Sequence, residues 1–517
     1  MSDSPSSSAT AQPALTAAQR NAVAELLRVS PVADELGRRF ARAGHQVHLV
    51  GGSVRDALLG RLGDDLDFCT DARPEETLAV VKGWAEAIWE TGREFGTIGV
   101  QRGGLRMEIT TFRAEAYNGV SRNPIVAYGN DLLDDLRRRD FTVNAMAVSL
   151  PGHRFTDPYG GLADLAARVI RTPGTPQESF GDDPLRMLRA ARFAAQLRFT
   201  VDPEIVAAMT GMAADLNRIT AERIRDEFTK LLCGDDPVAG LRLLVDTGLA
   251  DQFLPELSGL KLEIDEHAQH KDVYEHTLTV VANAVRLERR AEGRAGLRRR
   301  DEGRAGLRRR DERDEQAGPD FVLRMAALMH DVGKPATKAV APDSRVSFHH
   351  HEVVGARLTR QRMKALRYPK EVTADVADLV ALHLRFYGYG RGEWTDSAVR
   401  RYVTDAGHLL PRLHLLTRSD CTTRNRRKAA QLAADYDALE ERIARLQAEE
   451  DLARVRPDLD GNEIMALLGI PRGPLVGEAW RHLKDLRLER GPLDREEAVA
   501  ELFAWARANG VPVPPAE

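Results

Sequence analysis

The stretch Val50-Gly51-Gly52-Ser53-Val54-Arg55-Asp56, followed shortly by Asp65-Leu66-Asp67, predicts a strand, a glycine turn, a helix start and a second strand. Side chains two positions apart on a strand point to the same face, so Asp65 and Asp67 direct two carboxylates at one point. Paired carboxylates suit a hard divalent cation, and glycines that lead into a helix suit a phosphate. The stretch therefore indicates metal-assisted chemistry on a nucleotide.

The composition is typical of a globular protein with several domains. The 517 residues are 43% hydrophobic and 29% charged, which allows several apolar cores. A net charge of −4 excludes a uniformly basic coat, but 74 Lys and Arg residues can still form a face for nucleic acid. Three scattered cysteines indicate a reducing, cytoplasmic setting. The sequence has no run of about 18 apolar residues, so no membrane span is predicted. Residues 1–18 are expected to form a disordered tail.

The first part of the chain, residues 30–167, mixes predicted strands with predicted helices. Strands are expected at 45–50 and 64–69, a helix at 74–89, and a hairpin at 97–102 and 105–112 around Gly103-Gly104. On the second arm of the hairpin, Glu108 faces away from its apolar neighbours. Glu108 is therefore a candidate third carboxylate beside Asp65 and Asp67.

From about Pro184 onward, the apolar spacing is helical almost throughout. The predicted fold class is α+β, with a mixed α/β head followed by an all-α neck, body and tail. The expected boundaries are 30–167 for the head, 168–260 for the neck, 261–440 for the body and 441–517 for the tail.

The body contains a tandem duplication, in which residues 292–301 are repeated at once as residues 302–311. The repeat is too polar to bury a core, which favours a solvated loop over 288–318. The alternative is a basic arm that touches RNA, although acidic residues in each copy offset part of the arginine charge.

Two further motifs combine arginines with acids. The run Arg138-Arg139-Asp140-Phe141-Thr142-Val143-Asn144 is either a basic patch before a strand or a site where arginines contact a triphosphate and Asp140 or Asn144 a ribose. Asp183 and Arg186 lie three residues apart on a predicted helix, so both can face one spot. They form either a solvated ion pair or a recognition pair that matches the edge of a cytosine or adenine.

In this order the segments resemble bacterial class II CCA-adding tRNA nucleotidyltransferases of the polymerase-β-type superfamily. The resemblance covers roughly residues 35–260 and implies addition of CCA to tRNA 3′ ends from CTP and ATP. It implies that Asp65 and Asp67 bind Mg²⁺, and that Asp183 and Arg186 act as an amino-acid template for CTP and ATP. The implied nucleotide-binding positions are Gly51, Gly52, Arg55, Arg138, Arg139, Asp140, Asn144, Asp183, Arg186, Arg189 and Arg192.

Further details of the resemblance bear on activity. The run Glu222-Arg223-Ile224 with Glu227 matches a neck motif that supports the template helix, and Asp182 stands where Glu is expected. Residues 113–124 match a flexible loop needed for the final A addition, which favours complete CCA addition. The helical remainder is expected to bind tRNA through phosphates and shape. Bacterial poly(A) polymerases share the head and neck motifs and are the alternative interpretation.

A second set of candidate ligands lies in the body. The order His276, His330-Asp331, His351, His383 and Asp420 resembles the HD phosphohydrolase superfamily. Among the adjacent His349, His350 and His351, the last is chosen because Glu352 and Gly355-Ala356 follow it as in related chains. Imidazoles and carboxylates can hold one or two divalent metals. This resemblance implies an accessory phosphohydrolase site. It also leaves open a phosphohydrolase whose head only binds nucleotides.

Overall fold

The computed structural model describes residues 30–61, 63–114, 127–129, 131–261, 272–302, 318–342, 346–386, 394–423, 425–449 and 457–513. The chain forms two compact units, residues 1–252 and residues 253–517. Within the described ranges, no helix is both long enough and apolar enough to cross a membrane.

A seven-stranded sheet forms the centre of the first unit. The strands of this unit are β1 (Val47–Val50), β2 (Asp65–Thr70), β3 (Ala87–Trp89), β4 (Thr97–Arg102), β5 (Leu105–Thr111), β6 (Arg113–Ala114), β7 (Ala127–Tyr128), β8 (Ala147–Leu150), β9 (Phe155–Thr156), β10 (Val169–Ile170) and β11 (Thr200–Val201). The order in the large sheet is β3-β4-β5-β2-β1-β8-β9. Strands β2 and β5 run parallel, and the other neighbours are antiparallel.

Helices fill the connections and form the rest of the first unit. They are α1 (Pro31–Arg42), α2 (Gly52–Leu58), α3 (Pro74–Val81), α4 (Leu132–Arg137), α5 (Gly161–Ala167), α6 (Pro176–Asp182), α7 (Leu185–Leu197), α8 (Pro203–Met212), α9 (Ala221–Leu232), α10 (Pro237–Asp246) and α11 (Leu249–Phe253). Helix α7 packs against α9 and α10. Leu185 and Leu188 of α7 are buried, so its apolar stripe faces the interior as its spacing predicts.

Alternation along β2 decides which of its side chains enter the core. Leu66 and Phe68 are fully buried, together with Phe40 of α1. Asp65 and Asp67 lie on the opposite, exposed face. The sheet therefore buries an apolar layer on one side and presents the carboxylates on the other.

The prediction of a helix over 74–89 is wrong in its second half. Helix α3 ends at Val81, and Gly83 takes a φ of 71°, a left-handed conformation that stops a helix. The chain then forms β3, in which Trp89 lies opposite Gly99 of β4. Pairing with a distant strand overrides the local helical preference of this segment.

The second unit is almost entirely helical. Its helices are α12 (Pro255–Ser258), α13 (Val273–Glu302), α14 (Phe321–Met329), α15 (Lys334–Thr337), α16 (His351–Ala365), α17 (Lys370–Leu382), α18 (Asp396–Ala406), α19 (Leu410–Asp420), α20 (Arg426–Glu449), α21 (Gly461–Leu468), α22 (Pro474–Arg490) and α23 (Arg495–Ala508). Strands β12 (Ala339–Val340) and β13 (Val346–Ser347) pair antiparallel. Helices α13, α14 and α19 pack together, α17 packs on α14 and α16, and α21, α22 and α23 share an apolar cluster of their own.

Helix α13 continues into the duplicated segment. It ends at Glu302, so the loop predicted over 288–318 is helical in its first part, and residues 303–317 lie outside the described ranges. Glu288 on this helix accepts hydrogen bonds from Arg324 Nε (2.9 Å) and from the main-chain N–H of Asp320. The chain is thus fastened to itself on both sides of the repeat.

Candidate active site

Three carboxylates lie on the exposed face of the head sheet. In the parallel pair β2–β5, Asp67 is directly opposite Glu108, and Asp65 lies two residues earlier on the same face, opposite Arg106. They line a cleft of about 560 Å³. Although the Asp67 side chain is exposed at the cleft, desolvation by the protein around it raises its pKa; Arg139 opposes this effect, and Glu108 and Asp65 add to it. Such a concentration of carboxylate oxygens suits a divalent cation, so the residues present fit the expected Mg²⁺.

The glycine turn between β1 and α2 lies against these carboxylates. Gly51 has a φ of 68°, and a Cβ atom at this position would lie 3.0 Å from Nη1 of Arg139 and 3.7 Å from Oδ2 of Asp67. Ser53, which the sequence reasoning did not single out, accepts a hydrogen bond from the main-chain N–H of Asp67 at 2.8 Å. Glycine is therefore favoured both by its backbone conformation and by the space it leaves.

Arg55 joins the glycine turn to the second motif of the head. Its Nη1 donates to Oδ1 of Asn144 at 2.7 Å, and its Nε and Nη2 donate to Asp56 at 3.0 and 2.8 Å. Nδ2 of Asn144 donates in turn to Oδ1 of Asp140 at 2.9 Å. Arg55, Asn144 and Asp140 are all buried, so they form a fixed polar group beside the turn.

Arg139 faces the carboxylates and is held by an acid that sequence reasoning missed. Its Nη2 donates to Oδ2 of Asp135 at 3.0 Å. Burial works to lower the pKa of Arg139, but the nearby acidic groups, Asp135 foremost, together raise the net pKa. The spacing of four residues along the chain is the signal that could have revealed Asp135. Arg138 contributes differently, because its carbonyl oxygen accepts a hydrogen bond from Arg186.

A chain of alternating charges links the head to the neck. Nε of Arg189 donates to Oδ2 of Asp140 at 2.8 Å, and Nη1 donates to Oε1 of Glu227 at 3.4 Å. Nε of Arg192 lies 3.1 Å from Oε2 of Glu227, although neither atom makes a hydrogen bond within the described residues. Burial opposes ionisation of Asp140, yet Arg189 and Asn144 hold its pKa at about 2. Glu227 thus supports the arginines of α7, as its place in the neck motif implies.

Asp183 and Arg186 do not pair with each other. Oδ2 of Asp183 accepts a hydrogen bond from Arg223 at 2.8 Å, and Arg186 donates to Oγ of Ser179 at 3.0 Å and to the carbonyl oxygen of Arg138. The solvated ion pair between Asp183 and Arg186 is therefore not formed. The two side chains have separate partners at the start of α7.

The candidate HD ligands form one cluster within the second unit. The ligand atoms of His276, His330 and Asp331 lie within 4.8 Å of one another, and so do those of Asp331, His351 and His383. Asp331 is thus shared by two groups. Asp420 joins the first group, because its Oδ1 lies 3.0 Å from Nε2 of His276.

Local helix geometry turns three imidazoles toward the centre of this cluster. Nδ1 of His330, His351 and His383 lies 2.9, 2.8 and 2.6 Å from the carbonyl oxygen three residues earlier. A hydrogen bond at Nδ1 assigns the proton to that atom and leaves Nε2 as the ligand atom. The structure places His351 in the cluster, whereas the side chain of the neighbouring His350 is 83% exposed.

Charge in the cluster is unevenly distributed. Burial lowers the pKa of His383 to about 4, with help from the charge of His330. Burial also works to lower the pKa of His330, but Asp331, Asp420 and the carbonyl oxygen of Ala327 together raise it to about 9. Lys334, which sequence reasoning missed, places Nζ 2.9 Å from Oδ2 of Asp331. Its position in the run His330-Asp331-Val-Gly-Lys334 was the available signal. Imidazole nitrogens and carboxylate oxygens in one buried cluster fit a divalent metal.

Comparison with known proteins identifies the family. Over 468 residues the chain is 35% identical to the A-adding tRNA nucleotidyltransferase of Deinococcus radiodurans, and the match covers 89% of this chain and 95% of that protein. The chain belongs to the tRNA nucleotidyltransferase family. Models of known families match this nucleotidyltransferase as a Poly A polymerase head domain (residues 47–171), a probable RNA and SrmB-binding site of polymerase A (198–260) and an HD domain (273–442). The predicted α+β class and the resemblance stated from the sequence are confirmed.

Other relatives of this nucleotidyltransferase are CCA-adding enzymes. It is 44% identical over 225 residues to that of Levilactobacillus brevis, a match that covers 43% of this chain and 55% of that protein. The crystal structure of the Bacillus stearothermophilus CCA-adding enzyme with CTP has a TM-score of 0.63 at 24% identity, covering 93% of this chain and 99% of that one. The Thermotoga maritima enzyme complexed with tRNA has a TM-score of 0.57 at 19% identity, covering 93% and 98%. These two structures share the fold.

Proposed function

We propose that this nucleotidyltransferase completes the 3′ ends of tRNA by adding CCA from CTP and ATP, with release of pyrophosphate. The observation that carries the proposal is the placement of Asp65, Asp67 and Glu108 beside the Gly51 turn and the Arg139 guanidinium. Carboxylates for a metal and a cation for a triphosphate thus lie on adjacent parts of one surface. The names of the A-adding and CCA-adding relatives support the choice of tRNA as acceptor.

In this proposal Asp65 and Asp67, with Glu108 beside them, hold Mg²⁺. Bound Mg²⁺ supplies Lewis acidity toward the attacking 3′-hydroxyl and neutralises charge on the leaving pyrophosphate. Arg139 binds the triphosphate near the glycine turn, and Asp135 keeps that guanidinium in place. The chain's own residues therefore act mainly by positioning the reactants and by stabilising charge on the phosphates.

Base selection is assigned to Asp183 and Arg186 at the start of α7. Asp183 bonds to Arg223, whose side chain is 52% exposed, and such a surface ion pair is weak enough to be exchanged for a base. Arg186 is oriented by Ser179 and by the carbonyl oxygen of Arg138. A carboxylate acceptor and an oriented guanidinium donor can read cytosine and adenine edges in turn.

A second candidate is the addition of the terminal A alone. It is favoured by the A-adding relative, whose match extends over 89% of this chain. Complete CCA addition is favoured by the loop over 113–124, most of which lies outside the described residues.

Three tRNA transcripts separate these candidates: one lacking CCA, one ending in C and one ending in CC, each incubated with CTP, ATP or both. Complete CCA addition predicts that all three reach the same final length with both nucleotides. Terminal A addition predicts that only the transcript ending in CC is extended, and that ATP is sufficient for this extension. Long A tails would instead identify a poly(A) polymerase. Asp65→Ala is expected to remove all extension, since it deletes one metal-binding carboxylate.

The HD cluster is proposed as a second metal centre with phosphohydrolase activity. His351→Ala should lower the metal bound per chain, measured by elemental analysis, while His350→Ala serves as the matched control with an exposed imidazole. His330→Ala should abolish hydrolysis of p-nitrophenyl phosphate and spare nucleotide addition, and Asp65→Ala should do the reverse. Loss of both activities in either variant would contradict two separate sites.

The proposed setting is the cytoplasm. The three cysteines, all of which lie within the described residues, form no disulfide. This supports a reducing compartment.

A further inference from the structure

Two rows of side chains cross the exposed face of the head sheet, from the carboxylates to the edge strand. Strand pairing places them in register. The first row consists of Asp67, Glu108, Gly99 and Trp89, and the second of Asp65, Arg106, Gln101 and Ala87. None of these residues belongs to the nucleotide-binding set predicted from the sequence, and only the three carboxylates belong to the predicted catalytic set. The half of each row nearest the edge strand therefore has no assigned role.

Trp89 extends over the position that Gly99 leaves open. A Cβ atom built on Gly99 would collide with Nε1 and Cε2 of the indole, so the ring occupies the space above β4. The next side chain along the row is Glu108. Two inter-strand spacings separate β4 from β2, which puts the ring about 10 Å from the catalytic strand. An aromatic face thus borders the cleft that the carboxylates line.

Polar groups with unused hydrogen-bonding capacity lie beside the ring. Arg106 is exposed and forms no ion pair with any side chain that the structure describes, and the Gln101 amide makes no hydrogen bond within the same residues. Both line the cleft with Trp89. An open cation next to an aromatic ring is the combination that binds single-stranded nucleic acid, through a phosphate and a base.

The position of this surface relative to the carboxylates indicates which strand end it meets. Arg139 and the Gly51 turn adjoin β2 from the β1 side, whereas Arg106 and Trp89 lie on the β5-β4-β3 side. In phosphoryl transfer the attacking and leaving oxygens are roughly in line across the phosphorus. With the triphosphate on the β1 side, the acceptor 3′-hydroxyl enters from the side of Trp89.

We propose that Trp89 is a stacking platform for the 3′-terminal base of the acceptor tRNA and that Arg106 binds a phosphate of the same end. This inference rests on the proposed function and adds the acceptor subsite to it. Stacking on an aromatic ring accepts any base, because every base has a π-face. A platform of that kind suits an acceptor whose terminal nucleotide changes with each addition.

The competing explanation is structural, because a tryptophan across from a glycine also stabilises an edge strand. Trp89→Ala, Trp89→Phe and Ile88→Ala distinguish the two. Ile88 is 40% exposed on the opposite face of β3 and is the matched control. With saturating CTP and ATP, Trp89→Ala should raise the KM for tRNA about tenfold and leave the KM for each nucleotide unchanged. Trp89→Phe should recover most of that loss. A fall in thermal stability with an unchanged KM for tRNA would overturn the proposal.

A tRNA with an abasic 3′-terminal nucleotide gives the sharper test. Wild-type enzyme should lose about tenfold in kcat/KM on the abasic acceptor, whereas Trp89→Ala should not distinguish it from the intact acceptor. Equal losses in both enzymes would refute the platform. Arg106→Gln should make the slope of the logarithm of the tRNA binding constant against the logarithm of salt concentration less steep by about 0.7. An unchanged slope would exclude Arg106 as a phosphate-binding residue. If wild type extends no tRNA at all, the proposed function fails. If it extends tRNA but the two enzymes respond alike, only this inference fails.

Discussion

Glu227→Gln is expected to destabilise the first unit by about 3–5 kcal/mol, the usual effect of leaving a buried charge without its partner. Glu227 is 5% exposed and lies 3.4 Å from Arg189 and 3.1 Å from Arg192. In the variant Arg189 keeps Asp140, but Arg192 loses its nearest carboxylate. The pKa of Arg192 is already lowered to about 10, first by burial and then by the charge of Arg189. The remaining carboxylate that favours the charge of Arg192 is Asp140, and its effect is smaller than that of Glu227.

Thermal unfolding followed by circular dichroism measures this effect. A loss of 3 kcal/mol corresponds to a fall in Tm of about 6–12 °C for a unit of this size. Asp226→Asn is the matched control on the same helix, because Asp226 is 57% exposed and pairs with its neighbour Arg225; its effect should stay within about 0.5 kcal/mol.

A double variant tests the cause. Combining Glu227→Gln with Arg192→Met removes the stranded cation and should restore most of the stability. Equal melting temperatures for Glu227→Gln and Asp226→Asn would refute the reasoning. So would a double variant that is less stable than Glu227→Gln alone.

Three further outcomes are expected. Gly51→Val should reduce nucleotide addition at least tenfold, because its Cβ would press on Arg139. Gly60→Val, with a φ of 69° but open space around it, should show the same backbone strain and keep activity. Similar activities of the two variants would contradict this reasoning. Asp140 has a folded pKa of about 2, below the ordinary 3.8, so its ionised form should contribute about 2 kcal/mol to the free energy of unfolding above pH 4. This contribution should be lost as the pH falls toward 2. If urea unfolding shows an equally steep loss of stability in Asp140→Asn, this explanation is ruled out. Arg186→Ala should reduce the selectivity between CTP and ATP in single-turnover competition, and an unchanged selectivity would exclude Arg186 as part of the template.

Local patterns predicted the carboxylate face well. Alternation alone placed Asp65, Asp67 and Glu108 on one side of their strands, and the structure brings the two strands together in the register that joins them. What alternation could not predict is a partner chosen by tertiary packing. Asp183 pairs with Arg223, forty residues away, and not with the nearby Arg186.

The acceptor side of the cleft was missed for a different reason. The segment before Trp89 has the composition of a helix, and its strand character comes only from pairing with β4. Gly83 and Gly99 were the two signals available: one ends the preceding helix and the other makes room for the indole. In the HD cluster, by contrast, the adjacent His330 and Asp331 marked the place, and the fold brought the other candidate ligands to it.

The hydrogen bonds of Glu288 bear on how much the length of the duplicated segment matters. Helix α13 carries His276 toward its start and Glu288 farther along, and Glu288 holds Asp320 and Arg324 on the far side of the duplicated segment. Because Glu288 binds across this segment, its two ends stay close together, and the gain or loss of ten residues between them is expected to change the loop-closure free energy by less than about 1 kcal/mol. The arrangement of the candidate HD ligands should therefore tolerate a change in the length of the segment.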